Sequence, residues 1–173
     1  MLEIVSVKTQ EDLQQIRLLF KEYAASLDFN LSFQNFEEEL ANLPGDYAPP
    51  RGGLLLALRD DQIVGCVALR ELDRERCEMK RLYVRPQFRG LEIGKVLAAE
   101  IIEEAKRIGY ACMRLDTVPS MKRAQALYES LGFRRIPPYR HNPVAGALFL
   151  ELQLSGRFPE NSKDQSFPKS GSS

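Results

Sequence analysis

Residues 78–95 read EMKRLYVRPQFRGLEIGK, and this stretch decides how the rest of the chain is understood. An apolar-rich strand ends at Arg85-Pro86, a short turn carries Arg89-Gly90, and a helix opens near Ile93-Gly94. A glycine-containing turn between a strand and a helix leaves several backbone N–H groups at the positive end of the helix dipole, an anion site suited to phosphate or pyrophosphate. Arg89 adds a fixed positive charge at its entrance. The segment therefore predicts a phosphorylated cofactor.

Spacing narrows the choice. A Walker phosphate loop needs four residues between its glycines, followed by Lys and Ser/Thr; Gly94-Lys95 is followed by Val96, and Gly90 lies too close. A dinucleotide fingerprint needs G-x-G-x-x-G opening a helix within a βαβ unit, which Gly90 and Gly94 do not supply. The turn instead resembles the pyrophosphate-binding motif R/Q-x-x-G-x-G/A of the GNAT superfamily of acetyl-CoA-dependent N-acetyltransferases. Arg89 matches its first position and Gly94 its last, while Glu92 replaces the middle glycine. The resemblance continues through IGKVLAAEIIEEAKRIGY and the strand ACMRLDTV to MKRAQALYESLGF, which is similar to the superfamily's A-x-x-L-Y-x-x-x-G-F signature. Two signatures in this order and spacing are far more specific than either alone.

The 173 residues fit one domain with a proper core. We expect a single domain over residues 1–154 and a disordered polar tail over 155–173, which has too little apolar content to fold. Lys+Arg and Asp+Glu both total 24, so no net field attracts nucleic acid or an anionic membrane. No apolar run is long enough to cross a bilayer, and the N-terminus lacks a signal-peptide layout. Cys66, Cys77 and Cys112 read as reduced thiols of a cytoplasmic protein. A metal site is not expected, since there is no Cys-x-x-Cys pair and His141 is the only histidine.

Hydrophobic periodicity predicts a strand over residues 3–7 and a helix capped by Thr9, with Leu13, Ile16, Phe20, Tyr23 and Leu27 on one face. A second helix is expected over 33–43 and a Pro/Gly-rich loop over 44–53. Three strands follow at 54–58, 63–70 and 78–84, joined as antiparallel hairpins. A helix over 93–108 ends at Gly109; then come a strand at 111–118, a helix at 121–131 capped by Ser120, and strands at 133–136 and 147–154. This order is α+β around a mixed, mostly antiparallel central sheet flanked by helices. The resemblance implies the GNAT fold, in which the strands before and after the cofactor helix splay apart to bind acetyl-CoA.

The resemblance also implies roles. Leu82, Tyr83 and Val84 would contact the pantetheine arm and thioester through their backbone. The N–H groups of Arg89, Gly90, Leu91, Glu92, Ile93, Gly94 and Lys95 would hold the pyrophosphate. Taken alone, Gly90 and Gly94 are equally compatible with a simple turn and close helix packing. Tyr128 corresponds to the general acid that returns a proton to the departing thiolate, although Met121, Ala124, Tyr128 and Leu131 also form an ordinary core stripe. The family often has Asn where this chain has Met121. Glu78 is the candidate base, acting through water, with Glu71 as a rival; a solvated or paired strand-end glutamate is the plainer reading. Asp116 could position an amine or pair with Arg114. His141, in the turn YRHNP, reads as a surface residue.

The acceptor region implied by the resemblance spans residues 29–51 and 139–142. Phe29, Phe33, Phe36, Tyr47 and Tyr139 are candidates for an apolar pocket, with Arg51 or Arg140 reading a carboxylate. The expected function is acetyl transfer to a primary amine of a small or amino-acid-like acceptor, by direct attack in a ternary complex. No nucleic-acid or membrane partner is expected, and a homodimer is compatible with the sequence. The alternatives are a non-catalytic acyl-CoA sensor, a protein N-acetyltransferase and a nucleotide-binding regulator.

Overall fold

The computed structural model describes residues 1–31 and 35–155. Phe33, the expected start of the second helix, and the expected tail beyond Ser155 lie outside the described residues. The elements are β1 (Leu2–Ser6), α1 (Gln10–Ser26), α2 (Phe36–Ala41), a 3-10 turn (Gly45–Tyr47), β2 (Gly53–Arg59), β3 (Gln62–Glu71), β4 (Arg76–Val84), a 3-10 turn (Pro86–Phe88), α3 (Ile93–Ile108), β5 (Cys112–Thr117), α4 (Lys122–Ser130), β6 (Arg134–Ile136) and β7 (Leu148–Gln153).

Local chemistry accounts for most of these boundaries. Thr9 accepts from the Asp12 N–H and the Asp12 carboxylate accepts from the Thr9 N–H, a reciprocal cap that fixes the start of α1. Asp60 and Asp61 both take positive φ, 49° and 66°, the geometry that a tight β2–β3 hairpin requires. Gly109 ends α3 at φ 108°. The last helix begins one residue later than expected: Met121, not Ser120, occupies its N-cap, without a capping side-chain hydrogen bond.

The strands form one seven-stranded sheet in the order β1-β2-β3-β4-β5-β7-β6. Every neighbour is antiparallel except β4 and β5. That parallel ladder is short. It joins Arg76 to Cys112, Cys77 to Met113 and Glu78 to Arg114, then stops, while β4 runs on to Val84 and β5 to Thr117. The sheet therefore opens beyond Glu78, as expected for splayed strands. On the far side of β5, β7 stays paired from Cys112 to Thr117.

Helices cover both faces. One core packs α3 and α4 against Val67, Leu69, Cys77, Met79 and Leu115; the other packs α1 and α2 against Leu54, Leu56, Cys66, Ala68 and Tyr83. Strand alternation would place Arg81 with Cys77 and Met79. Instead the β3–β4 register shifts between Cys66↔Tyr83 and Ala68↔Lys80. This bulge is built on Arg81 at φ 59°, a left-handed conformation that costs a non-glycine residue about 1–3 kcal/mol. It turns Lys80 and Arg81 to the same, α1/α2 face. Arg81 is only 4% exposed and donates from Nε and Nη2 to the Glu39 carboxylate, at 2.9 and 3.1 Å. That bidentate pair stabilises the bulge.

Among the described residues, no helix is long and apolar enough to cross a membrane, and no cluster of His, Cys, Asp and Glu could hold a metal ion. The three cysteines are free and buried.

Candidate active site

The open edge of β4, the turn that follows it and the first turns of α3 form one wall of a cleft of about 1200 Å³. The start of α4 and the end of α1 complete it. The volume exceeds that of most small-ligand pockets, which suits an extended ligand. Of the ten residues expected to hold the cofactor, Leu82, Tyr83, Val84, Arg89, Gly90, Glu92, Ile93, Gly94 and Lys95 line this cleft. Leu91 does not, and its side chain is 48% exposed.

The turn is shaped for an anion. The first bond into α3 runs from the Val96 N–H to the Glu92 carbonyl, 3.1 Å, so the N–H groups of residues 93–95 have no partner within the helix. Gly90 takes φ 85°, a conformation glycine adopts without strain. Glu92 takes φ 62° at the N-cap. The backbone thus holds a glycine-like conformation where the family motif has glycine, although the side chain is an exposed glutamate. Gly94 is not forced by its own packing, because an added Cβ would meet Val84 and Leu127 only at 3.7 and 4.0 Å. Room for a ligand is the better account of it. Arg89 donates from Nε to the Val84 carbonyl at 3.1 Å, fixing the entrance charge over the strand end. Lys95, Lys122 and Arg123 also line the cleft, against Glu92 and Asp28. An anionic cofactor fits this residue set.

Tyr128 is buried and packs edge-on against Phe133, ring centroids 5.6 Å apart. It does not itself line the cleft, whereas Ala124 and Leu127 on the same helix do. Burial, then the charges of Tyr23 and Asp116, raise its pKa, so its hydroxyl keeps its proton at neutral pH. Met121 lines the cleft and its sulfur accepts from the Thr117 hydroxyl at 3.8 Å, a weak substitute for an amide partner.

On the α1/α2 face, beside the opening, lies a polar cluster. Glu78 is fully buried. It accepts from Tyr139 Oη at 2.6 Å and Arg70 Nε at 2.9 Å, pairs with Arg140, and has Lys80 Nζ at 3.9 Å. Lys80 is 7% exposed; burial first, then Arg81 and Arg70, lowers its pKa to about 7. Asp116 accepts from Asn142 at 3.1 Å, and Arg114 pairs with Glu151 instead. Of the two alternatives for Asp116, the pair with Arg114 does not form, because antiparallel β7 places Glu151 opposite Arg114.

Other expectations resolve as follows. Glu71 pairs with Arg51. Arg51 stacks on Tyr110, 4.2 Å from the ring centroid, and Tyr110 belongs to the α3 core, so Arg51 sits on the wrong face to read an acceptor at Glu78. Phe36 and Tyr47 are buried core residues, with Tyr47 Oη bonded to Glu39 at 2.6 Å. Tyr139, Arg140 and Asn142 do reach the cluster. His141 is exposed. The sequence reading missed Tyr23, Lys122 and Arg123 on the cleft wall, and Arg70 in the cluster. The ring of Tyr23 lies edge-on to Tyr83 at 6.0 Å, a contact hidden behind its place in an ordinary apolar stripe.

Known proteins share this architecture and sequence. The sequence model of the acetyltransferase (GNAT) family matches residues 13–133. An uncharacterized N-acetyltransferase of Schizosaccharomyces pombe is 41% identical over 157 residues, 89% of this chain and 96% of that protein. N-acetylaspartate synthetase of Mus musculus is 33% identical over 121 residues, 69% of this chain and 40% of its own length. An acetyltransferase of Salmonella typhimurium, solved with its cofactor acetyl-CoA, superposes with a TM-score of 0.72 at 18% identity, over 94% of this chain and 99% of that one. The chain belongs to the acetyltransferase (GNAT) family, and is an N-acetyltransferase.

Proposed function

We propose that the protein acetylates the primary amine of a small, amino-acid-like acceptor by direct attack in a ternary complex. The observation that carries this reading is the opening between β4 and β5, with a cationic cleft on one side and the buried Glu78 cluster beside it. Acetyl-CoA supplies the acetyl group as an activated thioester. The N–H groups of residues 89–95, with Arg89 and Lys95, would hold its phosphates, and the open edge at Leu82, Tyr83 and Val84 would orient the reacting end.

Tyr128 is the candidate acid, retaining a proton to donate because burial disfavours its ionised form. Glu78 remains the candidate base. Both of its oxygens are engaged, so a proton would reach it by relay, and the Tyr139 hydroxyl already donates to it. The name of the mouse relative, N-acetylaspartate synthetase, supports an amino-acid acceptor. Three buried free thiols fit a cytoplasmic location. A second reading, an acyl-CoA sensor, draws on Glu92 and Met121, the two departures from the family pattern.

The test is acetyl-CoA-dependent release of free thiol across amino acids, polyamines, aminosugars and short peptides. Turnover with one class is expected, and Tyr128→Phe should lower kcat by about 10²-fold or more. A loss under about tenfold would remove the acid role. Silence across the panel, with acetyl-CoA still bound, would favour the sensor.

A further inference from the structure

Tyr23 and Tyr128 belong to opposite faces of the sheet. Tyr23, on α1, packs against the core beneath α1 and α2, whereas Tyr128, on α4, is part of the core beneath α3 and α4. An unbroken sheet would keep them apart. Yet the charge of Tyr23 acts on Tyr128, and that of Asp116 acts on both. Asp116 stands on β5 two positions past Arg114, the last residue of that strand paired to β4. The three groups therefore meet through the opening between the strands. Tyr23 lines the cleft there beside Leu82 and Tyr83, its ring edge-on to Tyr83 at 6.0 Å and its centroid 5.9 Å from Cζ of Arg81. A tyrosine hydroxyl taken out of water ordinarily finds a hydrogen-bond partner. Those of Tyr47, Tyr110 and Tyr139 each donate at 2.6 Å. Among the described residues, those of Tyr23 and Tyr128 have no partner. Nor does that of Tyr83, which instead feels Glu22, Arg89 and Arg85.

We propose that Tyr23 is a catalytic residue, its hydroxyl donating a hydrogen bond to the carbonyl oxygen of the acetyl thioester from the α1 face, while Tyr128 serves the sulfur from the α4 face. This rests on the acetyl-CoA-dependent reading of the cleft. Starting from a neutral amine, the nitrogen bonds to the carbonyl carbon and loses one proton to the Glu78 relay. The carbon–sulfur bond breaks with its electron pair going to sulfur, which takes the Tyr128 proton. Return of the first proton to Tyr128 through solvent closes the balance. Negative charge gathers on the carbonyl oxygen midway, and Tyr23 meets it without giving up its own proton. Burial is the main reason that proton stays in place; Arg81 acts against it, and Asp116, Cys66 and Glu39 act with it. The same Arg81 charge favours the negative charge that the hydroxyl faces. Packing on Tyr83 holds the ring in advance, as a donor to developing charge requires.

The experiment is infrared spectroscopy of acetyl-CoA, isotope-labelled at its carbonyl carbon, bound to the full chain with no acceptor present. A hydrogen bond from Tyr23 lowers the carbonyl stretching frequency below that of free acetyl-CoA. Tyr23→Phe should return it most of the way, while Tyr128→Phe leaves it lowered. Tyr23→Phe keeps the ring and its packing, so the fold, followed by circular dichroism, and the affinity for acetyl-CoA, from calorimetric titration, should change little. With an acceptor found by thiol release, its kcat should fall by about 10²-fold at nearly constant KM, the scale of one lost donor to developing charge. A stretch that is not lowered in the wild type, or that Tyr23→Phe leaves in place, would overturn the proposal and leave the acetyltransferase standing. Equal movement in both variants would overturn it too, since a general loosening of the site accounts for that without a specific donor. Failure of the wild type to bind acetyl-CoA would overturn the enzyme reading itself, and this assignment with it.

Discussion

Glu92 combines two separable costs, and two substitutions separate them. Its φ of 62° places a side chain in the left-handed region, at about 1–2 kcal/mol. Glycine removes that cost but returns roughly 0.4–1 kcal/mol through the freedom of its unfolded chain. Glu92→Gly should therefore stabilise the free protein by about 0.5–1 kcal/mol, a rise in Tm of roughly 1–4 °C for a chain of this size. The second cost is charge. A unit charge within about 6 Å in water repels the carboxylate by roughly 0.7 kcal/mol, so relief against a phosphate pair amounts to about 2- to 5-fold tighter acetyl-CoA binding at low salt. Glu92→Gln keeps the left-handed side chain and removes only the charge. Calorimetric titration with acetyl-CoA at two salt concentrations, beside thermal melts, reads both effects. Both variants should bind more tightly, and only the glycine variant should melt higher. A glycine variant no more stable than the glutamine one would refute the conformational argument, and unchanged affinity in both would refute the electrostatic one.

Met121→Asn supplies the side-chain acceptor that the N-cap of α4 lacks, facing the N–H groups of Arg123 and Ala124. It should stabilise the fold by about 1 kcal/mol, visible as a Tm rise of roughly 2–4 °C; an unchanged Tm would show that the cap geometry at residue 121 cannot use an amide. Lys80 has a folded pKa of about 7 against 10.5 ordinarily, so between these values the unfolded chain binds more protons and wild-type stability rises with pH. Lys80→Met removes this dependence, and its advantage over wild type should be largest at or below pH 7 and shrink by pH 9.5. A pH-independent difference between the two melts would mean that Lys80 is not buried as described.

The parts legible in the sequence were those governed by short-range rules. The helix over 93–108 follows from a clean apolar period and a terminal glycine, and the antiparallel hairpins follow from turn chemistry such as Asp60-Asp61. The shape of the turn over residues 89–95 was readable because glycine spacing and one arginine fix its backbone. Glu78, Tyr139 and Arg140 were singled out one by one, but their convergence in one polar cluster was not readable, for a definite reason. Strand alternation assigns Arg81 to the α3 face, and only the bulge, held by Glu39 some 42 positions earlier, reverses that assignment. Arg70 and Arg140 reach Glu78 from a neighbouring strand and from the connection after β6, contacts set by tertiary register and not by local pattern. Arg51 lies away from this cluster for the same reason: its partners Glu71 and Tyr110 lie on the opposite face.

The gap between β4 and β5 leaves two strand edges inside a sheet, from residue 79 to Val84 on one side and from Leu115 to Thr117 on the other. A free edge ordinarily invites another chain to pair with it, with the attendant hazard of aggregation. Here helices cover the sheet on either side, so a partner that pairs with this edge has to lie between them. The ligands that match such a slot are short, amide-bearing chains able to add themselves as a strand. An extended peptide mimic, built to alternate donors and acceptors along the β4 edge, is accordingly the natural starting point for an inhibitor, more so than a flat aromatic compound.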